Sequence, residues 1–283
     1  MESQTLIFVL AAIMFVAVAV FGYIPMSLDL SSVRLKQLTA IGAGVLIGSA
    51  FLVIIPEALE IFEGHEEEES HEEEGEHEEE GEHEEEGEHE EEEEIHIEPS
   101  TMGLAILSGF VLMLLLEIFG LPHAVHHDED KHLLGLSATI GLIIHAAVDG
   151  LAVGASVSSS TETGLIVFVA IMLHKGPAAF GLSSFLQHIK VDKAKSQMYL
   201  LLFALSSPIV AILSFFTLQD STFATDDNIG LALMFSAGTF IYVATVDVLP
   251  EVHSHDHENE PPTWFVILGM ILVFLTTLIS HGH

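Results

Sequence analysis

Three ionisable side chains stand in apolar stretches of this 283-residue chain at spacings that suit a metal ion. His145 and Asp149 are four residues apart in IIHAAVDGLAVGA (143–155), so a helix would stack them on one face, about one turn apart. His174 follows in the next apolar stretch. Imidazole nitrogens and carboxylate oxygens bind zinc at about 2.0–2.2 Å. These three residues are therefore predicted to form a metal site with one coordination position left open, which suits an ion that must leave again.

The elements that must position these residues are membrane-spanning helices. Half of the residues are hydrophobic, and the absence of cysteine excludes disulfides and thiolate metal sites. A span needs about 20 mostly apolar residues. Eight stretches meet that need: 5–26, 41–59, 101–121, 133–157, 164–186, 198–218, 229–250 and 263–280. We predict an all-α polytopic membrane protein with eight transmembrane helices.

The domain organisation follows from composition. Residues 1–63 hold helices 1–2 and residues 99–283 hold helices 3–8, and together they form one membrane domain. Between them, residues 64–98 carry 22 of the 42 acidic residues, so the net charge of −35 belongs mostly to this segment. Because the segment has almost no apolar residues, we predict a disordered His/Glu-rich loop.

The few basic residues predict the orientation. Six of the seven lie between predicted spans: Arg34, Lys36, Lys131, Lys190, Lys193 and Lys195. With eight spans, the loops that hold them fall on one side, which the positive-inside rule assigns to the cytoplasm. Both termini and the acidic loop are then luminal or extracellular.

Burying ionisable side chains in a membrane is unfavourable, so the presence of the site residues there needs an explanation. A charge at the bilayer centre costs at least about 2.5–3.5 kcal/mol on insertion scales. One histidine is more simply explained as a hydrogen-bonded packing residue, but three ionisable residues would each need such an explanation. Gly150 and Gly154 would let another helix approach closely, and Pro177 should loosen the helix that carries His174.

Four further ionisable residues are assigned accessory or charge-tuning roles. Lys175 points about 100° away from His174 on a helix. It forms either a structural ion pair, with Asp149 or Asp247 as partner, or a fixed positive charge that tunes the metal site, and the sequence leaves both open. Apart from Lys175, the accessory set comprises Asp247, Glu57 and Glu251.

The second and seventh spans are similar to each other. Residues 43–58 (AGVLIGSAFLVIIPEA) and 237–252 (AGTFIYVATVDVLPEV) align without gaps and end in the same Pro-Glu pair. Chance similarity between apolar helices is the alternative. Because these spans cross in opposite directions, the likeness predicts an inverted repeat, which in transporters places the site near the bilayer midplane.

Histidine-rich loops surround the spans. The acidic loop repeats HEEEGE, and two further loops read HAVHHDEDKH (123–132) and HSHDH (253–257). Their spacing makes no fixed cage, so the loops are either solvated spacers or loose metal-capture segments. The histidines assigned to capture are His65, His71, His77, His83, His89, His126, His127, His253, His255 and His257.

At these residues the sequence resembles the ZIP (Zrt/Irt-like) family of divalent metal transporters. HAAVDGLAVGAS (145–156) is similar to the family's fourth-span pattern, and IVFVAIMLHKGPAAFGLSSFL and FSAGTFIYVATVDVLPEV look like the fifth and seventh spans of its Golgi-type branch. The likeness covers all eight spans but not the acidic repeat. It implies an eight-helix bundle whose second, fourth, fifth and seventh spans surround the transport path, with elevator-like movement of one helix group against another.

The sequence departs from the family pattern at positions linked to a second metal. Members with two adjacent metal sites carry a polar residue where this chain has Ala146, and acidic residues where it has Lys175 and Ala178. A lysine cation would repel a second divalent ion. We therefore predict a single metal site.

The predicted function is movement of Zn²⁺ from the lumen or exterior into the cytosol. Zinc is the substrate, no cofactor is expected, and the partners are the ion and the lipid bilayer, without nucleic acid and with a homodimer left open. The expected location is the Golgi or trans-Golgi membrane, the plasma membrane, or both. The alternative is a metal-sensing membrane receptor without turnover, which the same site would serve. A metalloprotease ranks below both because the sequence contains no H-E-x-x-H, so no enzyme is predicted.

Overall fold

The computed structural model describes residues 3–28, 31–62, 98–120, 130–219, 221, 224–252 and 263–280, and these are helical apart from short connections. Eight helices follow one another: α1 (Ser3–Ser27), α2 (Ser32–Ser49), α3 (Pro99–Gly120), α4 (Asp130–Ser159), α5 (Thr161–His188), α6 (Lys193–Leu218), α7 (Asp226–Tyr242) and α8 (Trp264–Ser280). No strand occurs in this part of the chain. The predicted all-α fold is confirmed.

The helices are long enough to cross a bilayer. Seven of those in the described ranges have the length and apolar composition of a membrane span. The eighth, α8, has 17 residues, at the short end of the range of about 17–25 residues that a span requires. Several helices begin before the predicted apolar stretch, α2 at Ser32 and α4 at Asp130. A helix is set by backbone hydrogen bonds and continues into the polar boundary, whereas the apolar stretch marks only the hydrocarbon.

Two helices change their winding at matching points. After Ser49, α2 continues through a π-helical stretch, Ala50–Ile54, and remains helical to Phe62. After Tyr242, α7 continues through the π-helical stretch Val243–Val248 and a last turn, Leu249–Val252. Pro56 and Pro250 lie just beyond these stretches and lack the N–H that would bond to the fourth residue back. By contrast, α5 continues through Pro177 as an α-helix.

The helix neighbours follow the exchange that an inverted repeat requires. If α1 exchanges with α6, α2 with α7, α3 with α8 and α4 with α5, the main packing pairs map onto one another, and α1 with α6 and α4 with α5 map onto themselves. The packing of α2 on α8 matches that of α7 on α3, that of α2 on α5 matches α7 on α4, and that of α1 on α5 matches α6 on α4. Gly44 meets the α8 backbone at Val266, and its counterpart Gly238 meets the α3 backbone at Ile106. The repeat therefore extends over the bundle, with α4 and α5 at its centre.

Two large apolar clusters fill the interior and leave the ionisable residues between them. On α4, Leu142 and Ala146 belong to one cluster and Ala152 to the other. On α5, Ala178 belongs to the first cluster and Ile171 to the second. Asp149 and His174 consequently lie at the junction of the two clusters, at mid-height of the bundle.

Candidate metal site

The structure brings the three predicted metal ligands together. His145 Nε2 lies 3.2 Å from Asp149 Oδ2, and His174 Nε2 lies 3.3 Å from the same oxygen. One nitrogen or oxygen from each of the three residues fits within a 4.8 Å spread. Within the described ranges, no other group of three such side chains meets this criterion. All three side chains are buried.

A tight turn between α4 and α5 sets the depth of these residues. Ser160 caps α5, and its side-chain oxygen accepts a hydrogen bond from the Thr163 N–H at 2.9 Å. Asp149 lies ten residues before the end of α4 and His174 thirteen residues after the start of α5. At 1.5 Å per residue, both stand about 15–20 Å from the turn. An antiparallel hairpin therefore places them side by side.

The glycines of α4 allow α6 to pack closely against it. A Cβ atom at Gly150 would collide with the Ser207 carbonyl oxygen, and one at Gly154 with that of Ala211. The close approach predicted from the sequence is therefore present, and α6 is the partner. Ser207 strengthens the contact because its hydroxyl donates to the Ala146 carbonyl at 2.5 Å. This packing fixes the rotation of α4 and with it the direction of His145 and Asp149.

Lys175 pairs with the carboxylate of the site. Its Nζ donates to Asp149 Oδ2 at 2.6 Å, and both side chains are fully buried. Phe203 of α6 lies beside the ammonium group, with its ring centroid 5.8 Å away. The sequence left Asp149 and Asp247 as alternative partners, and the structure selects Asp149. A buried carboxylate requires such a counter-charge, because an unpaired buried ion is strongly unfavourable.

The other accessory residues lie outside this group. Asp247 is buried in the π-helical stretch of α7, and its Oδ2 has no hydrogen-bond partner among the residues that the structure describes. Glu57 is half-buried in the helical continuation of α2. Glu251 lies in the last turn of α7, and its side chain is outside the described part. The ten histidines assigned to metal capture are also outside the described residues.

Two residues of α7 that the sequence did not indicate complete the surroundings of the site. The Ser236 hydroxyl lies 2.6 Å from His145 Nδ1 and donates to Asp149 Oδ1 at 3.0 Å. The Phe240 ring, one turn further on, lies 4.3 Å from the His145 ring. Serine and phenylalanine are common in apolar spans, so neither carries a signal in the sequence. The packing of α7 on α4 brings both to the site.

The donor set suits a borderline-soft divalent cation. Two imidazoles and one carboxylate match the ligands that zinc takes in sites with an exchangeable fourth position. The apolar clusters on either side keep the group away from water, which strengthens its electrostatic interactions. The arrangement can therefore hold one Zn²⁺ among α4 and α5, with α7 closing one side.

Comparison with known proteins identifies the family. The sequence profile of the ZIP zinc transporter family matches residues 4–135 and 63–277. The chain is 42% identical over 276 residues to Zinc transporter ZIP9 of Micropogonias undulatus, covering 92% of this chain and 89% of that protein. It is 40% identical to Zinc transporter ZIP9-B of Xenopus laevis over the whole length of both chains.

More distant relatives include Zinc transporter zipt-7.1 of Caenorhabditis briggsae, which is 32% identical over 80% of this chain and 64% of that protein. The family profile and the first two relatives extend over nearly all eight helices, including the hairpin that carries the buried His/Asp group. The chain therefore belongs to the ZIP zinc transporter family.

Proposed function

We propose that this protein carries Zn²⁺ across a membrane, from the lumen or exterior into the cytosol, through one site formed by His145, Asp149 and His174. The observation that carries the proposal is the convergence of two imidazole nitrogens on one carboxylate oxygen, all buried at mid-height of the bundle. A structural zinc site would need four permanent ligands, whereas three leave the fourth position for exchange. The names of the relatives support zinc as the substrate.

Lys175 supports a single-ion mechanism. Its ammonium group pairs with Asp149 Oδ2, the oxygen that both imidazoles also approach. Zinc at a bond length of about 2.0–2.2 Å from that oxygen would displace the ammonium group, because the two cations repel each other at such short range. After the ion leaves, Lys175 returns and neutralises the carboxylate. The lysine thus supplies the charge balance that a second metal would otherwise provide.

The orientation of the protein in the membrane follows from the distribution of basic residues. Arg34 and Lys36 lie in the first turns of α2, and Lys193 and Lys195 in those of α6. The turn before α6 meets the start of α4, since Gly135 faces Ile189. With this end in the cytoplasm, both termini are luminal or extracellular. A Golgi or trans-Golgi membrane, the plasma membrane, or both would fit this orientation.

Movement of two helix groups would expose the site alternately to the two sides. Backbone contacts at glycines join α2 to α8 and α3 to α7, and the α4 glycines join α4 to α6. We propose one group built on α4, α5, α1 and α6, which also pack on one another, and another built on α2, α3, α7 and α8; the close contact of Gly42 with Gly181 lies where the two groups meet. The site would travel with the first group, while Ser236 and Phe240 of α7 belong to the second.

The experiment that tests the proposal is uptake of radioactive zinc by vesicles containing the purified protein. His174→Ala should abolish saturable uptake because one of three ligands is lost. His188→Ala is the matched control, since it makes the same change on the same helix about 20 Å away. Unchanged saturable uptake in His174→Ala would overturn the site.

Counterflow separates a carrier from a metal-sensing receptor. Vesicles preloaded with unlabelled zinc should take up labelled zinc faster than empty vesicles, because a carrier returns loaded. A receptor without turnover would show no acceleration.

A further inference from the structure

Ser236 links the two α4 ligands from a third helix. The residue is fully buried on α7, and its Oγ lies 2.6 Å from His145 Nδ1 and 3.0 Å from Asp149 Oδ1. Its two partners are the histidine and the carboxylate of the proposed site. Nothing in the sequence assigns a role to this serine.

The single hydrogen of the Ser236 hydroxyl determines which of its contacts it donates to and which it accepts from. A serine hydroxyl has one hydrogen to donate and two lone pairs to accept with. An ionised carboxylate can only accept, so the 3.0 Å contact with Asp149 Oδ1 is a hydrogen bond only if Ser236 donates its hydrogen there; the His145 backbone carbonyl, at 3.5 Å, is the more distant acceptor. The contact with His145 Nδ1 is then a hydrogen bond only if the imidazole carries its proton on Nδ1 and donates it to Oγ. The hydroxyl thereby assigns one tautomer to His145.

The other ring nitrogen agrees with this assignment. His145 Nε2 lies 3.2 Å from Asp149 Oδ2 but makes no hydrogen bond within the described structure, because its in-plane direction misses that oxygen. A proton on Nε2 would therefore be buried without an acceptor, and the Ser236–Asp149 contact would lack its hydrogen. With the proton on Nδ1, every hydrogen has an acceptor and Nε2 presents a lone pair.

We propose that Ser236 is a positioning residue for zinc binding, which holds His145 in the Nδ1–H tautomer and orients the Asp149 carboxylate so that His145 Nε2 and Asp149 Oδ2 face one ion. The inference rests on the proposed function and adds to it a residue that touches the ligands and not the metal. Partners of this kind fix ring orientation and raise ligand basicity at metal sites.

The two histidines differ in whether a neighbouring residue fixes their tautomer. His174 Nε2 contacts Asp149 Oδ2 at 3.3 Å, and its Nδ1 has no hydrogen-bond partner among the described residues. No described residue therefore holds its Nδ1 in one protonation form, as Ser236 does for His145. His145 is the preset ligand and His174 the adaptable one.

The inverted repeat does not duplicate the serine. The alignment of α2 with α7 pairs Ser236 with Gly42, which has no side chain to offer. A Cβ at Gly42 would lie 3.3 Å from the Gly181 Cα atom of α5. The α2 position therefore serves close packing, and of these two equivalent positions only the one on α7 carries a hydroxyl.

The test measures Zn²⁺ binding to the full chain in detergent by competition with a chelator, together with zinc uptake into vesicles. Ser236→Ala should weaken Zn²⁺ affinity about 10- to 100-fold and raise KM more than it lowers kcat. Ser236→Thr, which keeps the hydroxyl, should recover most of the affinity. Ser156→Ala removes an equally buried hydroxyl that bonds the backbone of its own helix at Ala152, and it should leave affinity unchanged.

A second measurement does not depend on the variant folding. In ¹⁵N-histidine-labelled protein without metal, the His145 signal should be that of the Nδ1–H tautomer. Wild-type affinity in folded Ser236→Ala, or an Nε2–H tautomer in the unsubstituted protein, would overturn the inference. Loss of zinc binding by the unsubstituted protein itself would instead overturn the proposed function.

Discussion

The Nζ atom of Lys175 lies 2.6 Å from Oδ2 of Asp149, the oxygen that the Nε2 atoms of His145 and His174 also approach. The protein thus carries its own cation at the point where a metal would bind. In the proposed site, metal and lysine would compete for one carboxylate oxygen, so affinity would be limited by a group that returns when the ion departs. A carrier needs such a limit, because an ion held too firmly would not be released.

Removing the lysine charge should strengthen zinc binding and lower the stability of the protein without metal. In Lys175→Met the buried carboxylate loses its counter-ion, which costs about 3–5 kcal/mol. We expect a lower melting temperature without metal, a larger rise on adding zinc than in the unsubstituted protein, and slower turnover. Thermal unfolding in detergent with and without zinc measures this. Lys175→Arg keeps the charge and is the control; equal zinc responses in both variants would contradict the competition.

Removing the carboxylate should have the opposite effect on binding. Asp149→Asn leaves Lys175 buried without a partner, again at about 3–5 kcal/mol, and deletes a zinc ligand. The double variant Asp149→Asn with Lys175→Met removes both charges and should regain much of the stability but no uptake. Measuring unfolding and uptake on all three variants gives a double-mutant cycle. Additive stability losses would show that the pair is not coupled.

Zinc uptake should fall as the luminal solution becomes more acidic. Binding requires an unprotonated nitrogen on each of His145 and His174 and an ionised Asp149, so protons compete with the ion and stability of the complex is lost as pH decreases. Where one imidazole must lose a proton, apparent affinity should drop about tenfold per pH unit. Initial uptake rates at subsaturating zinc measure the effect. An apparent affinity that rises as the pH falls would contradict these ligands.

The contact between α4 and α6 should not tolerate a methyl group. In Gly154→Ala the new Cβ meets the Ala211 carbonyl of α6, so the helices must separate, at about 1–3 kcal/mol. Gly103→Ala on α3 is the matched control, since nothing lies within 4 Å of its added carbon. Melting temperatures in detergent compare the two. A Gly154→Ala protein as stable as the Gly103→Ala protein would mean that the contact is dispensable.

Deleting residues 65–94 should affect uptake only when zinc is scarce. As a loose metal-capture segment, this acidic repeat would raise the local metal concentration, while the buried site would set the maximal rate. The deletion should therefore raise KM several-fold and leave kcat unchanged, as measured by uptake over a range of zinc concentrations. An unchanged KM would favour the solvated-spacer interpretation.

The sequence by itself determined the eight apolar helices, because hydrocarbon thickness requires a span length that can be counted along the chain. It also indicated His145, Asp149 and His174, because an ionisable residue in an apolar span is costly and therefore conspicuous. The i, i+4 spacing of the first two follows from helix geometry alone. The Pro-Glu pair that ends both similar spans indicated the inverted repeat, because such a likeness can be read directly along the chain.

Only the tertiary structure decided the contacts between helices. Lys175 pairs with Asp149 and not with Asp247 because of the way α5 is rotated against α4 and α7. The spacing of residues within one helix does not determine that rotation. The contribution of Ser236 was invisible for a related reason, since a serine costs little in a helix and gains meaning only when α7 places its hydroxyl between His145 and Asp149. Burial costs mark charged residues in a sequence, whereas hydrogen bonds that orient them arise from packing.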